Sequence, residues 1–538
     1  MKKSLLSNKL SFLAGVFVFV FCVNAVTAQR HMPRFEQIDV QHYAFHLKLS
    51  DETDIIEGKA DVVVKFLKEG DSFILDLAAI QTTGIGMEVS EILENGKPVP
   101  FVHEEESLMI RPADEVVAGA VRSYTITYSG EPSDGLIISK NKFGDRTFFG
   151  DNWPDRAHYW LPVVDHPSDK ATVEFLVNAP DHYQVVATGR QIEETNLEGG
   201  YKFTHYKSEV PMPPKVMVIG VARFAVQLAG FSHGTPVTSW VYPQNREEGF
   251  GDYGLAVQVL DYYTERIGTY PNEKLANVQS KTRYGGMENA GNIFYYENSV
   301  TGNKDHEALI AHEIVHQWFG NSASELSWHH IWLSEGFATY LTNLYMEDTH
   351  GEAIMMERMQ QERNQVTRFA RRNMVPVVNP KIEDYNQLLN PNSYQKGGWV
   401  LHMLRHKLGK EVFWKGIQAY YEKFKLSNAL TSDFQAVMED VSGQNLESFF
   451  EQWIFRPGQP VLRKSWKQEN GNLEIEITQT QPKPFDFSLE IGLNYEDGST
   501  AIETVTLGAK KKTFSIKTDK KVREVILDPN VKLLFEEQ

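Results

Sequence analysis

A short motif in the middle of the chain restricts its fold more than any other feature. The chain reads His-Glu-x-x-His at His312, Glu313 and His316, and Glu335 follows nineteen positions after His316. Residues four apart lie on one face of a helix, so the two histidines can present imidazole nitrogens to one metal ion. The spacing therefore predicts a buried helix with a second helix beside it, from which Glu335 supplies an oxygen ligand.

This ligand set is typical of a catalytic zinc site. Three protein ligands, here His312, His316 and Glu335, leave one position on zinc for water, whereas structural sites use four protein ligands. Glu313 lies beside that position and can act as a general base. With 17 histidines in 538 residues the bare motif has a chance alternative, but polar residues on a buried helix are costly without partners. We expect one Zn²⁺ per chain and no organic cofactor.

The first 28 residues are typical of a secretory signal peptide. Lys2, Lys3 and Lys9 precede an apolar run, and small residues around Ala28 offer a cleavage site. An uncleaved membrane anchor is the alternative, although the apolar run is short for a span. The single cysteine of the chain, Cys22, lies inside this leader. We therefore expect an exported protein, periplasmic or secreted, without disulfides and without stable membrane insertion after cleavage.

Hydrophobic patterning divides the chain into four predicted parts. After the leader, residues 29–235 show β-type alternation, residues 236–455 show helical periodicity, and residues 456–538 return to short alternating runs typical of a small β-sandwich. The fold class is therefore multidomain α+β, with the zinc motif in the helical part. The predicted helices cover residues 252–267, 305–319, 330–348, 352–373, 394–408, 411–425 and 431–440.

The charge of the chain restricts its partners. The formal net charge is −17, which disfavours binding to nucleic acids and to anionic membranes. The same charge disfavours close self-association unless an apolar patch compensates for it. We therefore expect a monomer that does not bind nucleic acid.

A second motif precedes the zinc motif. Gly285, Gly286, Met287, Glu288 and Asn289 read Gly-Gly-Met-Glu-Asn. Together with the zinc motif and its distant glutamate, this segment resembles the aminopeptidase N family of zinc exopeptidases, to which the leukotriene hydrolase and the basic-residue aminopeptidase are related. The resemblance implies a thermolysin-like, mainly helical catalytic domain. It also implies an enzyme that releases N-terminal amino acids from peptides.

The resemblance implies roles for individual residues besides the metal ligands and the base. Glu288 would bind the free α-amino group of a peptide through a charge-assisted pair, although an ordinary turn is the alternative for this segment. Gly286 would let the backbone approach the substrate closely, at a position where the family commonly has Ala. Tyr394 would donate a hydrogen bond to the tetrahedral oxyanion.

One segment departs from the family pattern. Family members often carry a Gln and a Glu or Gln before an Ala-Arg and a Phe-Pro, and the second of these helps to hold the substrate amine. Here Asp151 falls on the first of these positions and Trp153 on the second. Either Asp151 or Asn152 replaces the missing contact, or Glu288 binds the amine with less help. A β-turn capped by Asp151 and Asn152 is the alternative.

Two other functions are compatible with the motif. A thermolysin-like endopeptidase is disfavoured by Glu288, because an ammonium-binding carboxylate blocks the passage of a continuous chain. A catalytically inactive, zinc-stabilised peptide-binding protein is disfavoured because every ligand and the base are present. Many relatives carry a long C-terminal helical domain, whereas residues 456–538 lack helical periodicity. We therefore expect a site that is open on one side and accepts long peptides with a free N-terminus.

Overall fold

The computed structural model describes residues 36–538. The predicted signal peptide, residues 1–28, and residues 29–35 therefore lie outside the described residues. Within residues 36–538, no helix is both long enough and apolar enough to cross a membrane.

The first part of the described chain consists of three β-sheets. An eight-stranded sheet has the order β13-β14-β11-β1-β2-β8-β4-β5, a four-stranded sheet has the order β12-β15-β10-β9, and a three-stranded sheet has the order β3-β7-β6. The strands are β1 (Ile38–Lys48), β2 (Ile56–Phe66), β3 (Phe73–Asp76), β4 (Gly86–Glu94), β5 (Lys97–Pro98), β6 (Phe101–Glu104), β7 (Ser107–Ile110), β8 (Val121–Glu131), β9 (Leu136–Lys140), β10 (Arg146–Gly150), β11 (Ala171–Pro180), β12 (Gln184–Ala187), β13 (Arg190–Leu197), β14 (Tyr201–Met212) and β15 (Ile219–Ala222).

Strand β1 illustrates why this part of the chain forms sheets. Tyr43, Phe45 and Leu47 are buried, while the residues between them are more exposed. Successive side chains of a strand point to opposite faces, so this alternation buries one face in a core. Strand β1 pairs antiparallel with β2 and parallel with β11, which places it in the middle of the largest sheet.

A five-stranded sheet connects the β region to the helices. Its order is β16-β17-β18-β20-β19, and its strands are β16 (Ala225–Ser232), β17 (Thr235–Val241), β18 (Leu275–Ser280), β19 (Gly286–Met287) and β20 (Asn292–Tyr296). Strands β16 and β17 form an antiparallel hairpin, and β17, β18 and β20 are parallel. The predicted domain limit at residue 235 falls inside this hairpin, whose hydrogen bonds join residues on both sides of it. The domain limits themselves stay predictions.

The helical part surrounds the zinc motif. Its helices are α1 (Arg246–Tyr253), α2 (Ala256–Arg266), α3 (Glu307–Val315), α4 (Trp332–His350), α5 (Glu352–Ala370), α6 (Gly397–Leu408), α7 (Lys410–Phe424), α8 (Thr431–Ser442) and α9 (Glu447–Phe450). A short parallel pair, β21 (Ala323–Glu325) and β22 (Ser427–Ala429), lies among them.

The predicted helices are present, with one correction. The helix expected over residues 252–267 is present as α2, but it begins at Ala256, and residues 252 and 253 belong to α1 instead. Gly254 lies at this interruption, and glycine is a poor helix former. The other predicted helices differ from the observed ones by a few residues at their ends, where helix limits are least defined.

The last part of the chain consists of two further sheets. A four-stranded sheet has the order β27-β24-β23-β29, and a three-stranded sheet has the order β26-β25-β28. Leu473 and Ile475 of one sheet and Leu489 and Ile491 of the other belong to one buried core. The predicted α+β arrangement is therefore confirmed. The strands are β23 (Val461–Glu469), β24 (Asn472–Gln479), β25 (Phe487–Tyr495), β26 (Thr500–Leu507), β27 (Lys511–Lys517), β28 (Val522–Leu527) and β29 (Glu536–Glu537).

Candidate metal centre and active site

Helix α3 and the turn after it position the two histidines of the motif. The apolar residues Ile310, Ile314 and Val315 are buried in the core of the helical part. Their burial fixes the rotation of the helix and leaves its polar face toward a cavity. His312 and His316 lie on that face, with their Nε2 atoms 3.2 Å apart.

Glu335 joins the two histidines from the first turn of helix α4, which packs against α3. Its Oε2 lies 3.3 Å from His316 Nε2 and 3.6 Å from His312 Nε2. Ligands bound to a tetrahedral Zn²⁺ at about 2.0–2.1 Å lie roughly 3.3 Å from one another. The three donor atoms therefore fit a single zinc ion.

The orientation of the His316 ring is set by two neighbours. Its Nδ1 lies 3.0 Å from Ser334 Oγ and 3.2 Å from the Phe319 carbonyl oxygen. Donation from Nδ1 to that carbonyl leaves Nε2 unprotonated, which is the form that binds a metal. Ser334 was not predicted from the sequence, although its position directly before Glu335 is a signal that could have identified it.

Glu313 lies next to the ligands and is only 4% exposed. Its carboxylate packs against Gly286, where a Cβ atom would overlap with Glu313 Oε1. Burial raises the pKa of the Glu313 carboxyl well above its usual value, the nearby His316 lowers this pKa, and the Glu288 carboxylate raises it again. The glycine thus leaves room for a carboxylate that readily accepts a proton.

Glu288 follows strand β19 and lines the same cavity. It is 5% exposed, and its Oε1 has no hydrogen-bond partner within the described residues. The ligand atoms of Glu288, Glu313 and His316 lie within 4.8 Å of one another. A buried carboxylate oxygen without a partner is costly, so this atom is suited to a cationic group of a ligand.

Two residues that the sequence analysis missed hold Glu288 in place. The Gln317 side-chain amide donates to the Glu288 carbonyl oxygen at 2.8 Å, and the Asn321 amide donates to the same oxygen at 2.6 Å. Gln317 Oε1 also accepts a hydrogen bond from the Gly291 backbone amide at 2.9 Å. Gln317 directly follows the zinc motif, and this adjacency is the signal that could have identified it.

The other members of the 285–289 segment have different surroundings. Gly285, Gly286 and Met287 line the cavity. Asn289 is fully buried, and both polar atoms of its side chain lack hydrogen-bond partners within residues 36–538. Its backbone carbonyl accepts hydrogen bonds from Gln317 and from the Asn292 amide. The backbone of Asn289 thus helps to hold the segment, whereas its side chain does not line the cavity.

Tyr394 lies on a π-helical turn, Asn392–Lys396, that precedes α6. Its ring is nearly parallel to the His312 ring, with an interplanar angle of 12° and a centroid distance of 6.2 Å. Burial, and then the Glu335 carboxylate, raise the pKa of the Tyr394 phenol. The hydroxyl is therefore protonated at neutral pH and available as a hydrogen-bond donor.

Asp151 and Asn152 lie away from the cavity. The Asn152 amide donates to the Met217 carbonyl oxygen at 2.7 Å, and its Oδ1 accepts from Trp160 Nε1 at 2.8 Å. Asp151 Oδ1 lies 3.0 Å from Arg156 Nη2. Asp151 Oδ2 also accepts a hydrogen bond from the Arg283 amide at 3.4 Å, directly before the cavity-lining Tyr284. Both side chains are buried and neither lines the cavity, so the expected second contact to a substrate amine stays a prediction. Trp153 is the residue of this segment that lines the cavity.

The cavity has a volume of about 530 Å³ and two unlike walls. The wall beside Glu288 is largely apolar and aromatic, with Trp153 in edge-to-face contact with Tyr284 at a centroid distance of 6.2 Å. Leu389 extends this apolar surface. The other wall, the polar wall, comes from α4 and α5 and contains Thr339, Thr342, Arg358, Gln361, Glu362 and Gln365.

The fold and the site together define a class of protein. The site has the composition of a metallopeptidase centre. It contains two histidines one helical turn apart, a glutamate from the next helix, and a buried carboxylate, Glu313, that lies between the two histidines in sequence. The family within this class follows from comparison with known proteins.

Two family models match the chain. The Peptidase M1 N-terminal domain matches residues 39–214, and the Peptidase family M1 domain matches residues 252–453. Together they cover more than two thirds of the sequence. The chain belongs to peptidase family M1, the aminopeptidase N family, and the resemblance inferred from the motifs is confirmed.

Curated relatives carry aminopeptidase names. Aminopeptidase M1-A of Oryza sativa subsp. japonica is 27% identical over 463 residues, which cover 81% of this chain and 52% of the relative. Glutamyl aminopeptidase of Rattus norvegicus is 26% identical over 460 residues, covering 79% and 48%. Probable aminopeptidase 2 of Sulfurisphaera tokodaii is 25% identical over 513 residues, covering 91% and 63%. The chain thus spans about half to less than two thirds of the length of these relatives.

Proposed function

We propose that this chain is a zinc-dependent aminopeptidase that releases N-terminal amino acids from peptides. The observation that carries the proposal is the unpartnered, buried Glu288 Oε1, on a side chain whose ligand atom lies within 4.8 Å of those of Glu313 and His316. A peptide that places its ammonium group on Glu288 brings its first peptide bond to the metal centre. Membership of family M1 and the names of the relatives support the same activity.

Three residues would hold the metal ion. His312, His316 and Glu335 provide two nitrogens and one oxygen at distances that suit zinc. When bound, Zn²⁺ supplies a Lewis acid that polarises a carbonyl group and lowers the pKa of water. Ser334 and the Phe319 carbonyl keep the His316 ring oriented for this task.

Glu313 would move the proton of the reaction. Its carboxylate accepts a proton from the attacking water, and the same proton then passes to the leaving amine as the peptide bond breaks. The raised pKa of Glu313 favours proton acceptance. The absence of a side chain on Gly286 leaves the space that the carboxylate occupies.

Tyr394 would stabilise the charge that develops on the carbonyl oxygen. Its protonated hydroxyl belongs to the same cavity as the three ligands. A hydrogen bond that forms fully only in the transition state lowers the barrier and not the ground-state energy. The role of Tyr394 is therefore to raise kcat.

The proposal is tested with leucine anilide in its free and N-acetylated forms. We expect cleavage of the free form, loss of activity with a chelator, and its return with Zn²⁺. Acetylation removes the positive charge that Glu288 would bind, and should lower kcat/KM on the order of 10²-fold or more. Glu288→Gln should reduce this preference, whereas the control Glu247→Gln, at an exposed position of α1, should keep it.

Other outcomes would point to other functions. Equal cleavage of the two anilides would contradict the role of Glu288 and would favour an endopeptidase. A zinc-loaded protein that binds peptides but cleaves neither anilide would be an inactive binding protein. Export through residues 1–28 and the monomeric state stay predictions, which N-terminal sequencing of the mature protein and light scattering would check.

A further inference from the structure

The polar wall of the cavity carries a pair of charged residues that the proposed reaction does not use. Arg358 and Glu362 lie one turn apart on helix α5, and both line the cavity. Asn343 of α4 lies between them: its Oδ1 accepts from Arg358 Nε at 2.6 Å, and its Nδ2 donates to Glu362 Oε1 at 2.8 Å. Asn343 is fully buried, so it fixes the position of both side chains.

Arg358 is arranged to bind a ligand. Its side chain is only partly buried, and within residues 36–538 its one hydrogen bond is to Asn343, while its charge also acts on the Glu362 carboxyl. The two terminal nitrogens of the guanidinium are thus available toward the cavity. A planar guanidinium held through Nε matches the two oxygens of a carboxylate through parallel hydrogen bonds.

Glu362 forms neither a hydrogen bond nor an ion pair with the Arg358 guanidinium within the described residues. Its Oε2 is buried without a hydrogen-bond partner among the described residues, and no ion pair joins it to Arg358 within that part of the chain. Burial raises the pKa of the Glu362 carboxyl to about 7, although the hydrogen bond from Asn343 and the charge of Arg358 lower it, so the group is partly protonated near neutral pH. Glu362 therefore competes weakly for Arg358.

Among the described side chains that line the cavity, Arg358 is the one that favours an anion away from the metal centre. Glu288, Glu313 and Glu335 also line the cavity, and Arg358 is the one Lys or Arg among its described lining residues. An anionic group is repelled by the carboxylates and attracted by the guanidinium. A carboxylate in this cavity is therefore directed toward helix α5.

The position of Arg358 determines which part of a substrate it meets. With the amine on Glu288, the first residue lies between Glu288 and the metal centre. The leaving part then extends past Glu335 along α4, where Thr339 and Thr342 line the cavity one and two turns further on. Helix α5 packs beside α4 and presents Arg358 to this same stretch.

We propose that Arg358 binds a carboxylate on the leaving part of the substrate. The carboxylate is either the side chain of an acidic second residue or, in a dipeptide, the free C-terminus. The inference rests on the proposed aminopeptidase activity and adds a selectivity to it.

The test compares dipeptides that share an N-terminal leucine. Leu-Glu amide against Leu-Gln amide isolates the side-chain carboxylate, and Leu-Gln acid against Leu-Gln amide isolates the C-terminal one. We expect at least one of these kcat/KM ratios to be on the order of ten or more, since only the charged partner forms a charge-assisted hydrogen bond with the guanidinium. The arm with the larger ratio identifies the source of the carboxylate.

Variants of helix α5 assign the selectivity to Arg358. In Arg358→Gln the ratio should fall toward one, and in Arg358→Lys part of it should return because the charge is kept without the planar fork. The control is Arg368→Gln, an exposed position on the same helix, which should keep the wild-type ratio.

Three results would overturn the proposal. Ratios near one in the wild type would do so without any variant, as would a ratio that survives in Arg358→Gln. Faster cleavage of Leu-Lys amide than of Leu-Glu amide would mean that Glu362 selects a cation instead. Failure of the aminopeptidase proposal looks different, because leucine anilide, which has no second residue, would then not be cleaved either.

Discussion

The metal centre and the 285–289 segment meet in one cavity but are held in different ways. His312 lies on α3 and His316 directly follows its last residue, and Glu335 comes from the helix that packs against α3. The helical repeat and one helix–helix contact are enough to bring these three together. Glu288, in contrast, depends on hydrogen bonds from Gln317 and on parts of the chain that are distant in sequence.

The distant support comes from the N-terminal β region. The Ala290 amide donates to the Val216 carbonyl oxygen at 3.1 Å, directly after the 285–289 segment. The neighbouring Lys215 forms a fully buried ion pair with Glu325, just beyond the loop that follows α3. Lys170 donates to the carbonyl oxygens of two residues in that loop. The proposed metal ligands are thus assembled locally, whereas Glu288, the proposed anchor of the substrate amine, depends on the β region being in place.

The largest expected effect distinguishes a loss of catalysis from a loss of metal binding. Glu313→Gln should lower kcat by about 10³-fold or more, because an amide cannot accept the proton of water. Metal analysis should find zinc retained in this variant and lost in the control His316→Ala. Near-normal kcat in zinc-loaded Glu313→Gln protein would show that another group is the base.

The next largest effect concerns Tyr394, the proposed hydrogen-bond donor to the oxyanion. Tyr394→Phe should lower kcat by roughly 10²–10³-fold, the usual contribution of one such donor. The preference for a free over an acetylated N-terminus should not change, because Tyr394 would act at the metal centre and not at the 285–289 segment. Steady-state kinetics with both anilides check this, and a defect limited to KM would contradict the assignment.

A smaller effect is expected from the support of the 285–289 segment. Gln317→Ala removes the hydrogen bonds to the Glu288 carbonyl and from the Gly291 amide. We expect a loss in kcat/KM of about tenfold, mainly through KM, since each hydrogen bond contributes about 1 kcal/mol. Zinc content should stay normal. A variant that lost zinc instead would show that the two regions are not held independently.

The smallest effect is expected at the contact between the two regions. Gly286→Ala places a methyl group against the Glu313 carboxylate, which must then shift. Displacing this flexible side chain should cost about 0.5–1.5 kcal/mol, or a two- to tenfold fall in kcat. Activity equal to that of the wild type would show that Glu313 adopts another rotamer during the reaction.

Local patterns were sufficient for the secondary structure and for part of the site. Alternation identified the sheets, and periodicity identified the helices. The helix predicted over residues 252–267 begins later than expected, because a single Gly254 within a helical pattern does not by itself indicate an interruption. The ligand spacing indicated His312 and His316 for a simple reason, since an i, i+4 pair in a helix is close whatever the rest of the fold does.

Contacts between distant segments could not be predicted in the same way. Asp151 and Asn152 were candidates because of their place in the chain, yet their side chains are engaged in the β region. Gln317 and Asn321 were missed because a hydrogen bond to a carbonyl about thirty residues earlier leaves no periodic pattern. Arg358 gave no signal in the sequence, since an arginine on an amphipathic helix usually faces solvent.

The sequence by itself determined the class of site: two histidines and two glutamates, the predicted ligands and base, at spacings that a pair of packed helices makes adjacent, on a chain of family M1. Only the tertiary structure decided what surrounds that site. It placed Glu288 with an unpartnered oxygen opposite the ligands and put Arg358 in the polar wall. The physical reason is that metal ligation depends on short-range helical geometry, whereas the shape and charge of a cavity depend on how distant segments pack together.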